Sequence, residues 1–367
     1  MTETQFPNLL SPLRVGPRTL RNRVLVTAHV ARIADHGVPG DRYVAYHRAK
    51  ARGGVALQIT GATPVHRSSD LASPDALDAT DDRIIPGYRR LAAAVHAEGG
   101  CMLAQLAHYG AGIHGAEPGQ PLWAPSPRAS ELVRETPHAM TTAEIDEMVA
   151  AFGAAARRVR EGGMDGVEIL GAFGMLIAAF MSPYSNKRTD AYGGSLENRL
   201  RYPLEVFKAM RAVWPEDKPM SVRISATDWV GEEGITGDDG LEIAKAFAAA
   251  GVDIIDVSSG QTSTAAEPVY GRMFQTPFSD KIRNEGGLAT MAVGNIYEID
   301  HVNSIIMAGR ADLCILARPH LMDPFWTLRA AAEQEYHGVK VPVQYEAGFE
   351  QLERNLKRQA EMMVLKA

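Results

Sequence analysis

The feature that most constrains this chain is a unit that returns along its length: an alanine-rich amphipathic segment ending in glycine, a turn, then a short apolar run. It reads as Lys50-Ala-Arg-Gly-Gly-Val-Ala-Leu-Gln-Ile59, as His96-Ala-Glu-Gly-Gly before Met102-Leu-Ala-Gln105, and as Arg160-Glu-Gly-Gly-Met-Asp-Gly-Val-Glu-Ile169. It returns as Ala249-Ala-Gly-Val-Asp-Ile-Ile-Asp-Val257 and as Met307-Ala-Gly-Arg-Ala-Asp-Leu-Cys-Ile-Leu316. Glycine just past a helix end adopts the left-handed conformation that stops the helix, and a near-continuous apolar run suits a parallel strand covered on both faces. Val24 to Thr27, Ser221 to Ile224 and Leu288 to Val293 complete a set of eight strands. Helices alternating with parallel strands, without a break in composition, predict an α/β chain folded as a single (β/α)8 TIM barrel. The alternative, an open doubly wound sheet, announces a nucleotide site with a Gly-rich turn after its first strand. Here that strand runs into Thr27-Ala-His-Val30, and no GxGxxG follows any of the strands.

The barrel is expected over residues 1–340, with a C-terminal helical extension over 341–367. Two stretches are too long for ordinary connections, about Gly110 to Met140 and Met181 to Arg201. Both follow barrel strands, which places these long loops over the carboxyl-terminal face, where barrel active sites lie.

Composition narrows the partners. With 46% apolar and 22% charged residues among 367, the chain has the balance of a globular protein with a large core. A formal net charge of −6 with scattered Lys and Arg excludes the electrostatic footprint of a nucleic-acid partner. No apolar run approaches the ~20 residues of a membrane span, and Pro7, Pro12 and Pro17 interrupt the amino terminus. No membrane partner is expected, and the cytoplasm is the default location. Cys101 and Cys314 both read as core residues, and no short-spaced cluster of thiolates or histidines offers a metal site.

Function in a barrel is read at the carboxyl ends of its strands. Gly294-Asn295 and Ala317-Arg318 end strands seven and eight, where barrels often hold phosphate: small residues let backbone N–H groups approach and Arg318 adds charge-assisted bonds. The alternative is a simple turn and a solvated arginine. Arg223 lies in the apolar run Met220-Ser-Val-Arg-Ile224, and a buried guanidinium wants an anion, either a structural carboxylate or a charged ligand. Gln105 is a buried amide with a choice between a ligand and backbone groups.

The residues resemble a known family at this point. Leu9-Leu-Ser-Pro-Leu-Arg-Val-Gly-Pro-Arg-Thr-Leu-Arg-Asn-Arg23 resembles the amino-terminal signature of Old Yellow Enzyme-like flavin oxidoreductases. Ser182-Pro-Tyr-Ser-Asn-Lys-Arg-Thr-Asp-Ala-Tyr-Gly-Gly-Ser-Leu-Glu-Asn-Arg199 matches their most specific signature, and the likeness runs on through Ala317-Arg-Pro-His-Leu-Met-Asp-Pro324. The resemblance implies FMN bound without a covalent link at the carboxyl face, reduced by NADH or NADPH, which passes hydride to a small organic substrate. It implies that Thr27 and Ala28 face the flavin ring with Ala62 beside it, and that Gln105 bonds the pyrimidine edge. Arg223 would then sit near N1 and O2, and Gly294, Asn295, Ala317 and Arg318 would hold the phosphate. The Ser182 to Arg199 segment reads as a structural loop. Relatives commonly associate, so a homo-oligomer is expected.

The chain departs from that family where two donors and a tyrosine usually serve a carbonyl substrate: the segment is Leu170-Gly-Ala-Phe-Gly-Met175. Losing one donor aimed at a developing oxyanion typically costs a hundredfold or more. Either other donors act, with His29, Arg32, His108 and Tyr109 as candidates, or Leu170, Phe173 and Met175 form an apolar or cation–π wall for an amine. His29 is the candidate catalytic residue, against the alternative of a packed, hydrogen-bonded histidine. Ala28-His29-Val30 resembles the segment of amine dehydrogenases reduced by their own substrate, which pass electrons to a partner; Val30 replaces the cysteine that tethers their flavin. Asp35-His-Gly-Val-Pro39 with Asp81-Asp-Arg-Ile-Ile-Pro86 resembles members that demethylate N-methylated amino acids. Asp256-Val-Ser-Ser-Gly-Gln-Thr262 with Tyr270-Gly-Arg-Met-Phe-Gln-Thr276 resembles instead reductases of aryl-CoA thioesters. There Tyr270 belongs to the substrate side, and Arg272 and Lys281 would meet CoA phosphates. The favoured reading is NAD(P)H-driven reduction of an activated C=C of an organic substrate, with a thioester among the candidates. Amine oxidation is the alternative, and a flavin-binding sensor without activity is a third reading.

Overall fold

The computed structural model describes residues 8–16, 18–69, 73–112, 121–129 and 135–364. Residues 113–120 and 130–134 of the first long stretch therefore lie outside the described residues. Among those described, eight parallel strands close on themselves: β1 Val24–Val26, β2 Leu57–Ile59, β3 Cys101–Ala107, β4 Gly166–Gly171, β5 Met220–Ser225, β6 Ile254–Ser258, β7 Thr290–Ala292 and β8 Leu313–Leu316. Each pairs with the next, and β8 returns to β1 with Cys314 opposite Val24 and Leu316 opposite Val26. A short strand at Thr63–Pro64 adds to β3 beyond its pairing with β2.

Eight helices alternate with these strands: α1 Asp41–Arg52, α2 Ile84–Ala97, α3 Thr142–Glu161, α4 Leu196–Val213, α5 Gly237–Ala249, α6 Thr276–Gly286, α7 Ile299–Met307 and α8 Trp326–Glu333. Their boundaries follow from local chemistry. Thr141 caps α3 and Thr236 caps α5 in reciprocal capping boxes with Glu144 and Asp239, satisfying orphan backbone donors at both ends of the exchange. Beyond α1 and α5 the recurring glycines take the left-handed backbone, Gly54 at φ 95° and Gly251 at φ 96°, and the chain turns back toward the sheet.

Burial divides by position in the barrel. One apolar cluster, including Met148, Phe152, Phe207, Met210 and Phe247, fills the space between helices and strands on one side. Inside the barrel at its amino-terminal end, Leu25, Leu57, Leu103, Met291 and Leu313 pack with Val15 and Leu20 from the hairpin Leu13–Val15/Arg18–Leu20, which plugs that end. The carboxyl-terminal half of the interior is polar instead, with Gln105, Glu168, Arg223 and Asp256 buried there. The segment Leu176–Met181 is a short helix, and a further helix, α9 Glu346–Val364, follows the barrel and packs near α8. Among the described residues no helix is long and apolar enough to cross a membrane. Cys314 is buried, but Cys101 at the start of β3 is only half-buried, because the first residue of that strand lies at the rim of the core.

The Ser182 to Arg199 segment is held by its own polar side chains. Asn186 donates to the carbonyls of Phe180 (2.7 Å) and Tyr192 (2.8 Å), and Arg188 donates to those of Pro125 (3.1 Å) and Met140 (2.6 Å). Arg199 donates to the carbonyls of Met181 and Gly194. These bonds supply partners to loop carbonyls that no strand can reach.

Candidate active site

A cleft of about 1350 Å³ opens over the carboxyl ends of the later strands. It exceeds the ~300–1,000 Å³ of an ordinary single-ligand site, which leaves room for a cofactor together with a substrate. Phe173 after β4, Arg223 in β5, Trp229 beyond it, Ser258 to Gln261 at the end of β6, Gly294 and Asn295 after β7, and Ala317 and Arg318 after β8 all line it. Phe173, Trp229, Gln261 and Asn295 also hold left-handed backbone, with φ of 63°, 58°, 65° and 53°. Such conformations cost about 1–3 kcal/mol each and persist where the surroundings enforce them.

One end of the cleft suits a phosphate. Gly294 has φ 113°, and a Cβ there would lie 2.5 Å from Nε2 of Gln275. Gln275 cannot yield cheaply, since it donates to the Val293 carbonyl (3.0 Å) and accepts from Ser259 Oγ (2.7 Å), tying β6 to β7. Asn295 donates its side-chain amide to the Gly271 carbonyl at 2.9 Å, and both residues line the cleft. Arg318 lines the same end and makes no ion pair or side-chain hydrogen bond among the described residues. A backbone approach that admits no side chain, beside a cation without a partner, is the donor set an anionic phosphate requires.

Arg223 forms the floor. Its guanidinium is buried, donates from Nε to Ser258 Oγ (2.8 Å) and from Nη1 to Thr27 Oγ1 (3.2 Å), and lies 3.5 Å from Asp256. The Phe173 ring stands 4.9 Å from its Cζ, a cation–π contact. Phe173 is itself fixed, its N–H bonded to Ser225 Oγ at 3.0 Å. Burial raises the carboxyl of Asp256 to about 8, against the opposing pull of Arg223. Glu168 is raised for the same reason, while Arg223 and the donors Ser221 Oγ and Gln105 Nε2 hold it down. Arg223 thus has buried acids behind it, and its guanidinium also lines the cleft.

The remaining residues singled out from the sequence fall into two groups. Tyr270 stands at the rim of the cleft, 74% exposed. Thr27, Ala28, Ala62, Gln105, Leu170 and Met175 lie outside its lining. Thr27 reaches it through Arg223, and Gln105 through a bond from Nε2 to Glu168 (2.8 Å). The Ala62 carbonyl accepts from Tyr109 OH at 3.1 Å, and Leu170 and Met175 are buried with it in one small apolar cluster with Phe173 against it. His29 is off the lining too: Nδ1 donates to the Thr27 carbonyl (2.9 Å), and Nε2 accepts from Tyr46 OH (2.6 Å). Desolvation lowers its basicity. Arg32 is exposed with left-handed backbone at φ 50°. His108 is buried, accepts from the Gly110 N–H at Nδ1 (3.0 Å) and meets Ser68 Oγ at Nε2 (2.9 Å), so it anchors a loop. Lys281 pairs with Asp238 (2.8 Å) and Glu285 (3.2 Å) away from the cleft, and Arg272 has Glu298 at 4.0 Å.

The sequence reading passed over Glu168 and Asp256 as site residues, along with Ser258, Gln275 and Trp229. A signal existed for the acids. Each is a lone carboxylate in an apolar strand, and strands four to six neighbour one another in any barrel of this order.

Comparison with known proteins accords with this geometry. The model of the NADH:flavin oxidoreductase / NADH oxidase family matches residues 8–336. An NADPH dehydrogenase of Geobacillus sp. (strain WCH70) is 39% identical over 343 residues, covering 93% of this chain and 98% of that protein. Among solved structures, a 2-naphthoyl-CoA reductase in complex with 2-naphthoyl-CoA superimposes with a TM-score of 0.82 and 28% identity over 90% of this chain. A histamine dehydrogenase from Rhizobium sp. 4-9 gives 0.77 and 26% over 89%. This chain spans about half the length of those two proteins, 52% and 48%.

Proposed function

The chain belongs to the NADH:flavin oxidoreductase / NADH oxidase family and is an FMN-dependent oxidoreductase served by NAD(P)H, and from that premise we propose that it reduces an activated C=C of an organic substrate, with a thioester among the candidates. FMN, when bound, supplies hydride transfer between the nicotinamide and the substrate. The chain's own residues define the rest. Gly294, Asn295, Ala317 and Arg318 hold the phosphate. Arg223 offers a fixed positive charge from below, and Ser258 and Thr27 keep its guanidinium in place. Phe173 stands beside that guanidinium with its ring 4.9 Å from Cζ.

The observation that carries the choice of substrate is the likeness to an NADPH dehydrogenase over 93% of this chain and 98% of that protein, which supports a nicotinamide as the reductant and an organic acceptor as the substrate. Arg223, placed under the flavin, stabilises negative charge as it develops on reduction and serves either reading. The likeness to a 2-naphthoyl-CoA reductase supports the thioester, and the aromatic lining by Trp229, Phe274, Tyr297 and Trp326 suits a flat, conjugated substrate. Amine oxidation, with electrons passing to a protein partner, stands as the second reading on the likeness to a histamine dehydrogenase. Self-association and a cytoplasmic location belong to the proposal as well.

An anaerobic titration of the flavin-loaded protein separates the two. NADH or NADPH is expected to bleach the yellow absorbance rapidly, and an enoyl or aryl thioester to restore it. Bleaching by an N-methylated amine, with no reoxidation by any conjugated carbonyl compound or thioester, would reverse the assignment of substrate.

A further inference from the structure

Two buried acids flank the one guanidinium in the polar half of the barrel. Asp256 on β6 is the register partner of Arg223 on β5 and stands 3.5 Å from its Nε. Glu168 on β4 is fully buried and within electrostatic reach of both. Arg223 lines the cleft, and neither acid does.

The acids are not equivalent. Glu168 accepts from Gln105 Nε2 (2.8 Å) and from Ser221 Oγ (2.8 Å), two donors that favour its anion. Neither oxygen of Asp256 has a hydrogen-bond partner among the described residues. The Arg223 Nε hydrogen, the one nearest Asp256, goes to Ser258, and an Nη1 hydrogen goes to Thr27. The titratable groups that face Asp256 are Arg223 from β5 and Glu168 from β4; β7 presents Met291. Two carboxylates against one guanidinium leave a negative charge uncompensated in a dry interior, which is costly enough that such a site retains a proton instead. The acid without donors is the one that keeps it.

We propose that Asp256 is a positioning residue held as a neutral carboxylic acid, and that its proton keeps the charge of Arg223 available to the flavin. This rests on the reading that the pyrimidine edge of FMN lies over Arg223. An ionised Asp256 would compete for the guanidinium from behind. A proton there leaves the positive charge directed into the cleft, where reduction adds electrons. The linkage is reciprocal: negative charge over Arg223 tightens the Asp256 proton, and loss of the proton disfavours the reduced cofactor. Burial, with the neighbouring Glu168, pushes the Asp256 carboxyl in the direction this requires.

Two measurements on the flavin-loaded protein test it. Infrared spectra with isotope-labelled aspartate, taken from neutral to alkaline pH, are expected to show a protonated carboxyl band that disappears as pH rises and is missing from Asp256→Asn. The midpoint potential over the same range is expected to fall more steeply with pH than in Asp256→Asn. One additional proton taken up per two electrons is a tenfold change per pH unit, or about 30 mV. Glu168→Gln removes the competing charge, lets Asp256 ionise against Arg223, and moves the break to lower pH. That variant and the wild-type series decide the matter if Asp256→Asn fails to fold. Absence of the carboxyl band overturns the protonation itself. A band with the same potential slope in wild type and Asp256→Asn overturns the coupling and places the fault in the position of the flavin over Arg223.

Discussion

Arg318 and Arg223 carry the same charge in one cleft under opposite conditions. Arg318 has no partner among the described residues, so a phosphate would be its first. Arg223 is held by Ser258 and Thr27, has a carboxyl behind it and an aromatic ring beside it. Substitution therefore reads differently at each. Arg318→Ala is expected to leave the fold intact and weaken FMN binding by roughly 10- to 100-fold, the equivalent of about 1.5–3 kcal/mol for a charge-assisted bond. Calorimetric titration of the apoprotein with FMN measures it, and an unchanged Kd would remove Arg318 from the phosphate site. The ring of His29 is bonded on both nitrogens, to the Thr27 carbonyl and to the Tyr46 hydroxyl.

At the scale of elements, the loop from Ser182 to Arg199 earns its sequence specificity through backbone carbonyls. Asn186 bridges the end of the short helix at Phe180 to the later turn at Tyr192, with both bonds buried. Truncation leaves two carbonyls without donors, each costing about 1–3 kcal/mol. Asn186→Ala is expected to lower Tm clearly while the flavin spectrum of the folded protein stays the same. A Tm within error of wild type would show that the loop is not fastened there. The neighbouring cap illustrates the same economy: the Ser182 hydroxyl donates to buried Asp228 (2.6 Å), which also accepts from the Ile235 N–H (2.9 Å) across the barrel mouth.

The whole molecule carries a pH dependence set by histidines it buries neutral. His108 is pushed down to about 3, chiefly by burial and then by the neighbouring His66. The unfolded chain binds a proton at His108 near pH 6.5, and the folded chain does not until far lower, so stability from this group is complete above about 6.5 and is lost as pH falls. Each pH unit below that removes about 1.4 kcal/mol. His108→Gln is expected to lose about 2 kcal/mol less than wild type between about pH 6.5 and pH 5, read as the difference in urea unfolding free energies. Parallel curves for the two proteins would mean that His108 is charged in the fold. His47 is pushed down to about 3 by the same burial, despite its bond with Gln58 (3.0 Å), and adds to the acid sensitivity.

The barrel was legible in the chain because its unit is local: a helix that stops at glycine and a strand buried on both faces are written in contiguous residues. The placement of Gly294, Asn295, Ala317 and Arg318 on the cleft was legible for the same reason, since they occupy strand ends fixed by the fold. The charge environment of Arg223 was not. Its carboxylates come from strands 55 positions before and 33 after it, at Glu168 and Asp256, and register across the sheet decides which of the chain's many acids face inward at that level. Local sequence determined the strands and their ends. Only the pairing and register of β4, β5 and β6 decided that two acids would share one arginine, because burial and distance, which set the protonation of such groups, exist only once the strands are side by side.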